Sequence, residues 1–276
     1  TTYRWLHDHA ALLAAALQSH SDAPGAVGVL CERCAMQVAG MLATWRAGLV
    51  YLPLDPSLPP QRLLWTVSDA EPVALLVSAE TEALVRGYEG PALFLESGTL
   101  LRGRTSSRHA PRAAVPPDGC YLLYSSGSTG EPKGVLGSRA GLAMRCEWMW
   151  RAFLFEPGEV CVAKAALGFV DALCETVGPL GRGVPLLLLP ARVAAHPRAL
   201  RAACEAWRVT RLLLVPAALR MLLDACEEEG PEEGAEERPA EATIAEAAMA
   251  AATEAVTKAG VEVGLKAGVE AGGEAG

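Results

Sequence analysis

Seven short, continuously apolar runs recur along the chain: AVGVL (26–30), VYLPL (50–54), VALLV (73–77), YLLY (121–124), VCVA (160–163), VPLLLL (184–189) and RLLLV (211–215). Stretches of helical spacing separate them, at 6–17, 36–48, from Pro59 to about 70, from about Arg139, at 172–180 and at 199–207. Gly48 is well placed to stop the second of these. A strand apolar on both faces must be covered on both faces, and helices between strands are the usual cover. The expected fold is therefore α/β, with parallel-sheet layers flanked by helices. Ligands in such folds sit beyond the carboxyl ends of the strands.

One loop lies in such a place. Residues 124–134 read YSSGSTGEPKG, directly after the run YLLY. A turn alone needs one or two glycines. Here Gly127, Gly130 and Gly134 allow close backbone approach. Ser125, Ser126, Ser128 and Thr129 add hydroxyl donors, and Lys133 adds a compact positive charge. This composition suits phosphate oxygens, and we expect an exposed strand-to-helix loop that binds them. It is not the Walker loop, which places glycine before the lysine and Ser or Thr after it. Pro132 and Gly134 occupy those positions.

Charge is uneven. The formal net charge is −8, but 13 acidic residues against three basic ones fall between Glu227 and Gly276. The preceding 226 residues hold 21 basic and 19 acidic residues, which does not suit a nucleic-acid surface. The segment 226–276 is rich in Ala, Glu and Gly, has no aromatic residue, and repeats KAGVE at 258–262 and 266–270. Such a stretch buries too little to offset its ordering entropy, so a disordered acidic tail is expected after a core of 1–225. A natural tail and a misread exon end would both look like this. No apolar run is long enough to span a bilayer. Eight scattered cysteines in a chain of 276 residues suit reduced thiols and a cytoplasmic location.

Smaller features have plain explanations. CERC (31–34) is a single C-x-x-C without a second pair, so packing is expected rather than metal or redox chemistry. His7, His9, His20, His109 and His196 form no ligand spacing and suit surface or capping roles. Trp148 and Trp150 suit packing.

The loop has company, and together the segments resemble a family. YSSGSTGEPKG is similar to the phosphate-loop signature of the adenylate-forming (AMP-binding) enzymes, which include acyl-CoA synthetases and the adenylation domains of nonribosomal peptide synthetases. TTYRWL (1–6) resembles the family's opening motif. ATWRAGLVYLPLDPSLPPQRL (43–63) resembles its second, with Asp55 and Arg62 in structural roles. ALGFVDALCETVGPLGRGVPLLLLP (166–190) resembles its fourth. The likeness covers 1–225 and is nearest the amino-acid-activating branch.

The resemblance implies a reaction. A carboxylate attacks the α-phosphorus of ATP, giving an acyl-adenylate and pyrophosphate, and a CoA or carrier-protein phosphopantetheine thiol then takes the acyl group. It implies ATP and Mg2+ as cofactors, with phosphate contacts from Ser125, Ser126, Gly127, Ser128, Thr129, Gly130, Lys133 and Gly134, and magnesium placed by Thr129. The family's later Tyr-Gly-x-Thr-Glu segment, ribose-binding Asp and C-terminal lysine find no counterpart here. The chain is thus expected to resemble the first half of an adenylating domain, inactive alone.

The fourth motif bears on the substrate. Relatives that activate α-amino acids carry Phe-Asp-x-x-x-x-Glu, whose Asp receives the ammonium. Here Phe169 is followed by Val170, then Asp171, with Glu175 in register. That shift resembles the pocket of domains that take β-alanine and similar β-amino acids. Asp171 as a helix cap is the competing expectation. An acyl-CoA synthetase-like ligase for an acid without an amino group, and a non-catalytic nucleotide-binding fragment, remain as alternatives.

Overall fold

The computed structural model describes residues 1–20, 24–102, 117–126 and 132–227. Residues 228–276 of the acidic tail, and His109, therefore lie outside the described residues.

In chain order the elements are α1 (Tyr3–His20), β1 (Ala26–Leu30), α2 (Ala35–Arg46), β2 (Val50–Leu54), α3 (Pro60–Ala70), β3 (Ala74–Val77), a 3-10 turn (Glu82–Val85), β4 (Ala92–Phe94) and β5 (Leu100–Arg102). Then come β6 (Gly119–Ser126), β7 (Pro132–Ser138), α4 (Arg139–Ala152), β8 (Cys161–Ala163), α5 (Val170–Leu180), β9 (Leu186–Leu188), α6 (Ala191–Ala194), α7 (Pro197–Ala206) and α8 (Pro216–Glu227). A seven-stranded sheet has the order β5-β4-β3-β1-β2-β6-β7, and β8 and β9 form a small parallel sheet.

Strand periodicity divides the large sheet's faces. Val27 and Val29 of β1 enter one core, lined by α1, α2, α4 and α5, while Ala26 and Leu30 enter the other, beneath α3 and the 3-10 turn. Gly28 lies between Leu54 and Leu75: a Cβ there would stand 2.4 Å from Leu75 Cδ2 and 2.9 Å from Leu54 Cδ1. After α2 the chain turns at Gly48, whose φ of +79° a side chain would resist.

The parallel α/β expectation holds through β1, β2, β3, β4 and β6. Two edge strands differ: β5 pairs antiparallel with β4, and β7 antiparallel with β6. The run RLLLV is corrected. Only Arg211 bridges to Cys161, and 212–215 form no strand. An apolar run does not supply the partner groups a ladder needs. Arg211 is instead held by its side chain, which meets Glu159 at 2.9 Å and donates to the carbonyls of Phe153 (2.8 Å) and Leu154 (2.6 Å).

Candidate functional site

The chain steps from β1 to β2 on one side, then returns to β3 on the other side of β1. Such a reversal opens a crevice at the strands' carboxyl edge. At this edge residues 31–34 follow β1, residues 55–57 follow β2, and β6 ends. Asp55 closes a turn there, its Oδ1 accepting from Ser57 N at 2.9 Å and Ser57 Oγ at 2.7 Å. A structural task for Asp55 agrees with its place in the second motif.

The glycine-rich loop is not a strand-to-helix connection as expected. It joins two strands: Tyr124 pairs with Gly134, Ser125 with Lys133 and Ser126 with Pro132. By composition Pro132, Lys133 and Gly134 suit a loop; they join a strand because β6 offers an open edge. Directly paired residues share a face, so Ser125 and Lys133 present hydroxyl and ammonium on the same side of the hairpin. Both are exposed. The hairpin is anchored at Tyr124, whose hydroxyl donates to Asp69 Oδ2 at 2.7 Å and whose ring meets Trp65 edge-on at 5.9 Å. Burial first, then the Asp69 carboxylate, raise that phenol above its ordinary range. Gly127, Ser128, Thr129 and Gly130 lie outside the described residues.

The other part of the site is the start of α5. Phe169 is its N-cap residue and is exposed; Asp171 stands in the first turn. Asp171 does not act as the cap. Its carboxylate faces Arg145 of α4 at 3.5 Å, with side chains 43% and 44% exposed. Its charge still suits the positive end of the helix. An ion pair this open contributes little, ~0.5 kcal/mol, so another cation can replace Arg145. Arg145 also lies 5.7 Å from the Trp148 ring, which meets Phe153 edge-on. Trp150 instead packs inward, its Nε1 donating to Gly178 O at 2.9 Å. Arg145 was not legible in the sequence, since only the packing of α4 on α5 brings it here.

Glu175 sits one turn further in and is buried. Its Oε2 accepts from the backbone N–H groups of Lys164 and Ala165, both at 2.7 Å, and its Oε1 lies 3.7 Å from Lys164 Nζ. The buried guanidinium of Arg33 donates to Leu189 O and Ala165 O. Burial lowers its pKa, with Glu175 and Asp55 opposing. These links tie the carboxyl edge of β1 to the turn between β8 and α5. Among the described residues no three His, Cys, Asp or Glu side chains group as a metal ion needs.

This edge, the hairpin and the α5 start occur in a known setting. Residues 1–267 match the AMP-binding enzyme family. The chain belongs to that family. Curated relatives of this AMP-binding chain include the beta-alanyl-bioamine nonribosomal peptide synthetase ebony of Drosophila melanogaster, 34% identical over 78% of this chain and 25% of the relative. Tyrocidine synthase 3 of Brevibacillus parabrevis is 30% identical over 80% of this chain and 3% of the relative. Among solved structures, the nonribosomal peptide synthetase FmoA3 in its alpha-methyl-L-serine-AMP-bound form superposes with a TM-score of 0.70, at 27% identity, over 83% of this chain and 25% of that one. The AMP-binding chain thus spans a quarter or less of the length of these proteins.

Proposed function

We propose that this AMP-binding family member activates an amino-bearing carboxylic acid, of the β-alanine class, as its acyl-adenylate at the expense of ATP. The observation that carries it is Asp171, a half-open carboxylate at the α5 start whose ion-pair partner among the described residues, Arg145, is weakly held. A substrate ammonium entering there would exchange one cation for another, so no buried charge is left unpaired. The step from position 170 to 171 turns the carboxylate by about 100° around the helix axis. The ammonium is then offered from a direction that suits one extra methylene, while Val170 disfavours α-ammonium groups. A relative named as a beta-alanyl-bioamine nonribosomal peptide synthetase supports the same substrate class.

ATP would place its phosphates at the hairpin, with Ser125, Ser126, Gly127, Ser128, Thr129, Gly130, Lys133 and Gly134 around them. Magnesium would arrive with the nucleotide, with Thr129 beside it. The substrate carboxylate oxygen attacks the α-phosphorus and pyrophosphate leaves; the protein's task is charge neutralisation and in-line positioning. A CoA or carrier-protein phosphopantetheine thiol would accept the acyl group. Residues 1–225 carry this proposal. No helix among the described residues is long and apolar enough to cross a membrane.

The test is carboxylate-dependent ATP–pyrophosphate exchange by a protein in which this sequence is followed by the family's later motifs, with nucleotide binding measured alongside. Exchange fastest with β-alanine, with the preference over α-alanine lost in Asp171→Asn, is the expected result. Fastest exchange with a fatty or aryl acid, unchanged in Asp171→Asn, would instead favour the acyl-CoA synthetase-like alternative. Nucleotide binding without exchange for any acid favours a non-catalytic nucleotide-binding chain.

A further inference from the structure

The CERC segment packs as expected, Cys31 within the core and Cys34 against it, and it also brings the two sulfurs together. Cys31 Sγ and Cys34 Sγ lie 3.6 Å apart in a thiol–thiol hydrogen bond, at the point where the chain leaves β1 and enters α2. Cys31 is buried; Cys34 is the extended N-cap residue of α2 and is partly exposed. Cys34 also lines a largely apolar cavity of about 540 Å³ between the start of α1, α2 and β9. Cys34 therefore borders open space, and Cys31 is its buried sulfur neighbour.

We infer that Cys31 and Cys34 form a thiol–disulfide exchange site, in which Cys34 attacks a low-molecular-weight disulfide of the glutathione class and Cys31 resolves the product. The balance is simple. The Cys34 thiolate forms a bond to one sulfur of the small disulfide, and its partner sulfur leaves as a thiolate. Cys31, giving its proton to solvent, then attacks Cys34 Sγ and expels the second small thiolate. The protein dithiol is oxidised by two electrons, and one disulfide is reduced to two thiols.

The surroundings assign these roles. The hydrogen bond from Cys31 lowers the Cys34 thiol against the effect of burial, and the Gln37 and Met36 amides at the start of α2 add to it, with Glu80 opposing. Cys31 is raised, first by the same hydrogen bond and then by burial, with Glu96 adding to it and Ser78 opposing. The nucleophile is thus the outer sulfur, as attack on a small disulfide requires. The remaining cysteines among the described residues are free, and burial raises the thiols of Cys120, Cys146, Cys161, Cys174 and Cys204.

Trypsin provides a direct readout, because Arg33 separates the two cysteines. In the reduced chain, cleavage releases peptides 5–33 and 34–46 separately; a Cys31–Cys34 disulfide keeps them joined. The full chain is treated with glutathione disulfide, quenched with acid, alkylated and digested. We expect the joined pair as the main oxidised product, forming roughly tenfold faster than in the urea-unfolded chain. In Cys31→Ser, glutathione should remain on Cys34 as a mixed disulfide. The inference is overturned if glutathione stays on Cys34 in the unaltered chain, if other cysteines oxidise first, or if unfolding leaves the rate unchanged.

Discussion

Lys133 and Gly28 show how differently single residues act here. Lys133 is exposed on the hairpin opposite Ser125, so its ammonium is open to an incoming anion. Lys133→Ala should weaken ATP binding about tenfold, as loss of a charged hydrogen-bond donor does, and should leave the melting temperature unchanged. Calorimetry on the full chain checks this, and equal affinity in the variant would remove Lys133 from the phosphate site. Gly28 touches no ligand, yet a Cβ there would overlap Leu75 and Leu54. Gly28→Ala should cost about 2 kcal/mol in urea unfolding, because a packed core accepts extra volume poorly. The strand AVGVL was legible from its apolar run. That its central glycine makes room for side chains of β2 and β3 was not, since those contacts are far apart in sequence.

Helix α5 carries both a candidate substrate contact and a structural tie. Asp171 is half-open in its first turn, and Glu175, four residues on, is buried with two backbone N–H donors after β8. Glu175→Ala should destabilise the chain by about 3 kcal/mol, because Lys164 and the amides of 164 and 165 lose a buried anion. Glu175→Gln should retain part of this, since its amide oxygen can still accept. Thermal unfolding distinguishes the two; equal and negligible shifts would show that the tie is dispensable. The motif located α5 well, because its sequence spacing is local. The Arg145 partner of Asp171 and the Arg33 bonds to Leu189 and Ala165 join elements distant along the chain, and no local pattern announces them.

At the scale of the whole molecule, apolar side chains are not all inside. Val135, Met144, Trp148, Phe153, Leu154 and Phe169 are exposed on β7, α4 and the segments that follow. Exposed apolar surface of this extent favours association or dye binding. The full chain should bind an environment-sensitive hydrophobic dye and associate as its concentration rises, and a Met144→Lys, Leu154→Lys double variant should lessen both. A chain that remains monomeric at every concentration and binds no dye would contradict this.

By itself the sequence determined the alternation of helices and buried strands, the start of α4 at Arg139, the family likeness and the motif positions. Each follows from short-range periodicity or from a local run of residue types. Only the tertiary structure decided that two paired strands flank the glycine-rich loop, that RLLLV keeps a single bridge, that Arg145 faces Asp171, and that the two cysteines of CERC meet sulfur to sulfur. Strand pairing and side-chain partnership depend on which edges and faces the whole chain leaves open. That is settled by packing between distant segments, and local residue patterns do not contain it.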